Sequence, residues 1–141
     1  MLAIASLLLA ACGTPAGGDP GGRRLRELSG DDVFAALPDG STSVAVQRSP
    51  AHYRKPGFTG GGWDGPSVVV TFTSTAPPAD VYGFYARRAA AAGWRPTARG
   101  ALGLDDRWAK TYRDGAAATL ILTLLRDGQY RLAGAVAPVV R

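Results

Sequence analysis

His52 is the one imidazole in a chain of 141 residues, so general acid–base work at neutral pH would fall to it first. A nucleophilic triad would set it beside a hydroxyl such as Ser49 or Ser67, but no G-x-S-x-G elbow is present. The paired carboxylates are Asp31-Asp32 and Asp105-Asp106. Adjacent residues in an extended segment point to opposite faces, so neither pair converges on one substrate atom unaided. The first pair reads as a helix start and the second as a loop before a strand. A small hydrolase would need the fold to bring His52 to Asp105 or Asp106. Gly60-Gly61-Gly62-Trp63-Asp64-Gly65 lacks the Gly-Lys-Ser/Thr ending and the following helix of a phosphate-binding loop. What remains is a loop presenting Trp63, either packed down as an anchor or held out to a sugar or partner. Arg88 falls near the middle of an apolar helical face, where it snorkels to the edge or requires an anion. Trp63, Arg88 and His52 are thus the candidate ligand or partner contacts. One Cys and one His exclude intrachain disulfides, cysteine zinc sites and His-pair metal motifs, and no D-x-D-x-D-G loop occurs. No cofactor, metal or catalytic residue is expected.

The elements that would position these residues follow from composition and periodicity. With 46% hydrophobic and 19% charged residues, the chain has room for one ordinary domain. There are 16 Lys+Arg against 11 Asp+Glu, giving a net charge of +5. The Ala-, Gly-, Pro- and Arg-rich composition fits GC-rich codon usage, so the arginine excess is not by itself a binding signal. No apolar run reaches the roughly 20 residues of a membrane-spanning helix. Residues 13–22 read as a flexible tether, with Arg23, Arg24 and Arg26 beyond it. Residues 31–37 read as a short helix with Ser29 as its cap candidate, and residues 44–48 as a strand. Residues 54–66 read as an irregular loop and residues 67–73 as a strand. From Thr75 to Asp80 the sequence has the prolines and acid of a helix start. Val81, Phe84, Tyr85, Ala89 and Ala92 then repeat at helical spacing until Gly93, predicting a helix over 77–92 with Trp94 folded over its end. The last third predicts a meander whose turns, Asp114-Gly115 and Asp127-Gly128, suit type I′ hairpins. Trp108 and Tyr112 share a face there. Thr119 to Leu125 is apolar on both faces, predicting a strand covered on each side.

The N-terminus adds chemistry of a different kind. Residues 1–11 are uncharged and almost wholly apolar, the run stops at Cys12, and small and turn-forming residues follow. Leu9-Ala10-Ala11-Cys12 resembles the lipobox of bacterial lipoproteins. That resemblance implies a peptidase cut before Cys12, a thioether from its thiol to diacylglycerol, and further acylation, as with palmitate. It identifies residues 1–11 as a signal peptide, residues 12–28 as lipidated Cys and tether, and residues 29–141 as a single domain. Two acyl chains would anchor the protein stably, at about 0.8 kcal/mol per buried CH₂. A basic residue ordinarily precedes such a run; its lack here points to a start codon further upstream.

The expected fold is α+β, a mostly antiparallel sheet of about five strands in ββαβββ order. The main helix lies on one face and the short N-terminal helix helps cover the other. That order, with Asp80-Val81-Tyr82-Gly83-Phe84-Tyr85 and Ala92-Gly93-Trp94, is loosely similar to small actinobacterial lipoproteins over residues 30–137. The similarity implies architecture and an extracytoplasmic, membrane-anchored location, and it carries no catalytic residues. The leading expectation is a non-enzymatic binding module of the cell envelope, held to the lipid bilayer through Cys12 and meeting an envelope protein or ligand. The alternatives are a basic domain holding anionic polymer or lipid headgroups, and the His52 hydrolase. Export disfavours nucleic acid as a partner.

Overall fold

The computed structural model describes residues 18–19, 22–58, 60–97, 103 and 105–138. Helix α1 (Arg23–Ser29) and a one-turn 3-10 helix (Asp32–Phe34) precede strands β1 (Thr42–Ser49), β2 (His52–Arg54), β3 (Gly62–Asp64) and β4 (Ser67–Thr73). Helix α2 (Pro78–Ala91) follows, then β5 (Arg95–Pro96), β6 (Asp105–Thr111), β7 (Ala117–Arg126) and β8 (Gln129–Val136). The main sheet has six strands in the order β1-β4-β8-β7-β6-β5, every pairing antiparallel, and β2 and β3 form a separate two-stranded sheet. The expectation of about five strands in one sheet is therefore corrected to eight strands in two sheets. The difference lies in β5, a two-residue edge, and in β2–β3, which the glycine-rich composition of 54–66 disguised as loop.

Alternation along the strands sorts the sheet into two unlike faces. Val68, Val70 and Phe72 of β4 lie beside Gly134, Leu132 and Tyr130 of β8, and these continue into Leu120 and Leu122 of β7 and Trp108 of β6. All but glycine are large, and this face carries the core. Helix α2 supplies Val81, Tyr85 and Ala89, each fully buried, and α1 supplies Leu28. Phe34 also lies on this side: a Cβ at Gly134 would overlap its ring, so the glycine in mid-strand makes room for an aromatic cover. The short 3-10 turn thus joins the helices on one face. Val69, Thr71, Ala133, Thr119 and Ile121 point the other way and have no helix over them among the described residues. The expectation that Thr119 to Leu125 is covered on both sides is corrected accordingly. The strand is interior to the sheet, but its second face is open, and its small and β-branched side chains need only a pleated surface to sit on.

Helix α2 forms where periodicity places it. Pro78 opens it, and the chain leaves through Gly93 at φ 83°. There Trp94 N–H donates to the Ala89 carbonyl at 2.9 Å and Gly93 N–H to Ala90 at 3.1 Å, a Schellman closure that turns the buried Trp94 back over the helix. The expected helix over 31–37 is instead the single turn Asp32–Phe34, and the helix before it, α1, includes residues expected to be tether. Helix α1 is held by packing and capping. Leu28 is buried, and the Asp19 carboxylate accepts the N–H groups of Arg24 and Leu25, both at 2.9 Å. Each Asp-Gly turn of the meander has positive φ at the glycine alone, 82° at Gly115 and 69° at Gly128, so neither is type I′. At the first, Gly115 N–H donates to the Tyr112 carbonyl while Tyr112 N–H donates to Ala116, a three-residue loop closed by a left-handed glycine. The Asp114 carboxyl is held below its ordinary range by the Ala116 N–H and by Arg24 and Arg23 beside it.

The core is rich in phenols. Phe72 stacks on Tyr130 with centroids 5.4 Å apart, Tyr85 leans on Phe72, and Tyr82 meets Tyr130 edge-on. The hydroxyls of Tyr85, Tyr112 and Tyr130 are buried with no hydrogen-bond partner. Desolvation raises the phenol pKa values of these three and of Tyr82. The neutral phenols therefore support the fold fully below the unfolded value near pH 10, and that support is lost as pH rises toward the folded values. In an alkaline titration, phenolate absorbance from these four should appear together with the loss of far-UV structure, not ahead of it.

Candidate functional site

Side chains that could meet a ligand converge in two places. The first is the β2–β3 arm. It continues the β1–β4 pairing, in which Ser49 faces Ser67, outward through His52 opposite Asp64, Tyr53 opposite Trp63 and Arg54 opposite Gly62. Two glycines shape it. A Cβ on Gly65 would overlap the Val136 carbonyl where the arm leaves the sheet, and one on Gly61 would sit 2.6 Å from the Pro56 backbone. The arm has two unlike faces, as alternation requires. On one, Asp64 Oδ2 lies 2.7 Å from Arg54 Nε and 3.2 Å from His52 Nε2. On the other, Tyr53 and Trp63 meet edge-to-face with centroids 5.6 Å apart. Buried Gly18 packs under Trp63, close enough that a Cβ would fall 2.9 Å from the indole ring. The indole N–H is buried without a partner. At the outer end, Phe58 is wholly exposed.

His52 and the carboxylates of the hydrolase alternative are placed on different sheets. His52 belongs to β2, its Nδ1 is 3.5 Å from the Pro50 carbonyl, and its carboxylate neighbour is Asp64. Asp105 and Asp106 begin β6, where a loop was expected. Asp105 accepts from Arg107 Nε at 2.7 Å, and Asp106 turns to the opposite face beside Ala79, Tyr82 and Gly83 of α2. The His52–Asp64 pair is itself open to water, with side-chain exposures of 59% and 37%. So exposed a pair does little to exclude water from a reacting atom. Trp63 is packed against the leading segment. Arg88 is half-buried, its guanidinium 5.7 Å from the centre of the Phe84 ring and donating to the Asp32 carbonyl at 2.8 Å, while its Nε is buried without a partner. It pins α2 to the 3-10 turn. Cys12 and the lipobox lie outside the described residues.

The second convergence was missed from sequence. The Asp31 side chain, 2% exposed, accepts from Lys110 Nζ at 2.6 Å and from Trp94 Nε1 at 3.1 Å, and caps the 3-10 turn through Val33 N–H at 3.2 Å. Lys110 Nζ also donates to the Ala92 carbonyl at 2.7 Å and lies over the rings of Trp94 and Tyr112. One buried ion pair thereby joins the 3-10 turn, the end of α2 and strand β6, with each charge compensated. The signal was present: Lys110 is two residues from Trp108 and two from Tyr112, hence on the inward face of its strand. Among the described residues no group of three or more His, Cys, Asp or Glu could hold a metal ion, and no helix is long and apolar enough to cross a membrane. Comparison of the chain with protein-family models, with curated proteins and with solved structures finds no match.

Proposed function

We propose that the protein is an extracytoplasmic lipoprotein, acylated on Cys12, whose folded part is a non-enzymatic binding module held beside the membrane. The observation that carries this reading is the chain's single cysteine at the end of Leu9-Ala10-Ala11-Cys12, directly after the only export-like apolar segment. The architecture is compatible with it. Gly18, six residues after Cys12, is already docked on Trp63, and at most about 3.6 Å per residue separates it from the anchor, so the domain would ride within roughly 20 Å of the acyl chains. The ion pair Asp31–Lys110 is engaged in holding elements together and offers no free group for catalysis.

The test is fractionation. The native protein should require detergent for release from membranes and should incorporate labelled palmitate. Cys12→Ser should carry no label and should move to the soluble or secreted fraction, or persist as uncleaved precursor. Palmitate incorporation into the variant equal to that of the native protein, or none into either, overturns the proposal.

A further inference from the structure

The β2–β3 arm ends in a feature that the fold does not use. Phe58 is fully exposed at its outer end, and Tyr53 farther down is 44% exposed. A phenylalanine so exposed gains nothing from the fold, while its side chain is among the most favourable to bury. The charges about it are mainly positive. Lys55 lies exposed just before the tip and Arg48 near the root, while Arg54 and His52 sit against Asp64, the one acid on the two strands. An apolar tip followed by a basic collar suits a bilayer interface, where the ring enters the acyl boundary and the cations stay among the phosphates. The arm also lies where the described part of the chain begins. Gly18 packs beneath Trp63 on the arm's aromatic face, so the chain leading back to Cys12 starts from the arm itself.

We infer that the β2–β3 arm is a membrane-contact device, with Phe58 entering the interface of an anionic bilayer while Lys55 faces its headgroups. The orientation of the whole domain follows: the arm points down, and the opposite end of the sheet is presented to the envelope. This inference rests on the lipoprotein reading for its setting, but the contact is a property of the arm and is testable without acylation.

The chain from residue 12 onward retains every described residue. Carrying Cys12→Ser and Gly57→Cys, it holds a single thiol for an environment-sensitive fluorophore next to an intact Phe58. A Cβ at Gly57 meets nothing within 4 Å, so the label is sterically free. On vesicles mixing phosphatidylglycerol with phosphatidylcholine, the label should shift to the blue and be quenched by nitroxide lipids. On phosphatidylcholine alone, or with added salt, the response should weaken. Phe58→Asp should reduce partitioning by about tenfold or more, and Lys55→Glu should reduce it on anionic vesicles only. The same label at Asp127→Cys, on the β7–β8 turn, should stay in water. A label at 57 that remains aqueous on anionic vesicles overturns the inference. So does one that is shielded only in native membranes containing protein, which would assign the arm to a protein partner. A native protein that incorporates no palmitate, together with a positive vesicle response, would defeat the lipoprotein reading and leave the arm's affinity standing.

Discussion

Asp31→Ala should lower the free energy of unfolding by about 3–5 kcal/mol, the effect of stranding one half of a buried ion pair. The substitution leaves Lys110 Nζ with the Ala92 carbonyl and the faces of Trp94 and Tyr112, removes the acceptor for Trp94 Nε1, and uncaps the 3-10 turn at Val33. Against a typical total of 5–15 kcal/mol, that is a large fraction of the domain's stability. The pair itself is a weak source of net stability, so removing both charges should cost much less than removing one. Asp31→Ala combined with Lys110→Met is expected to recover part of the loss. Urea unfolding of the two single variants and the double variant measures this directly, and an Asp31→Ala midpoint unchanged from native would show that the pair does not hold these elements.

The second large effect distinguishes the two faces of one strand. Leu122 is fully buried, with Leu132 beside it on β8 and Asp106 on β6. Leu122→Ala should cost about 2–5 kcal/mol, the transfer of the lost methyls plus the cavity they leave. Ile121, one residue away, lies on the uncovered face and is only half-buried. Ile121→Ala should cost clearly less, since water already reaches the site and no closed cavity remains. Two unfolding curves with equal denaturant slopes decide the matter. Equal losses would mean that something covers the second face.

These comparisons show what the sequence made legible and what it concealed. Helix α2 was readable because every local signal agreed: prolines at its start, Val81, Tyr85 and Ala89 at one spacing, and Gly93 at its close. The meander of β6, β7 and β8 was readable for the same reason, down to buried Trp108 and Tyr112, although the Asp-Gly turns adopted a conformation other than the one expected. Helix α1 was concealed because its order comes from elsewhere: Leu28 packs on the sheet and Asp19 caps from outside the helix. The β2–β3 arm was concealed because its glycines look like loop punctuation, while Gly61 and Gly65 answer close backbone approaches visible only in the fold. The carboxylate beside His52 is Asp64, not Asp105 or Asp106, and only the pairing of β2 with β3 brings those two side chains together. The bond between Asp31 and Lys110 spans 79 positions, and only the inward register of Lys110 announced it.

The order of strands in the main sheet also fixes when the protein can become itself. β4 lies between β1, close by in sequence, and β8, with Val70 beside Leu132 near the other end of the chain. As the chain is synthesised from its N-terminus, β1, β4 and α2 emerge first, and half of β4's hydrogen-bonding partners are still missing. The meander brings them last, yet it is the most local part of the sheet and can zip up within itself quickly. The central seam of the sheet is complete only once β8 is present, because β8 is the strand that joins β4 to β7. A chain cut short before residue 129 would lose the seam between the two halves of the sheet, not merely an edge.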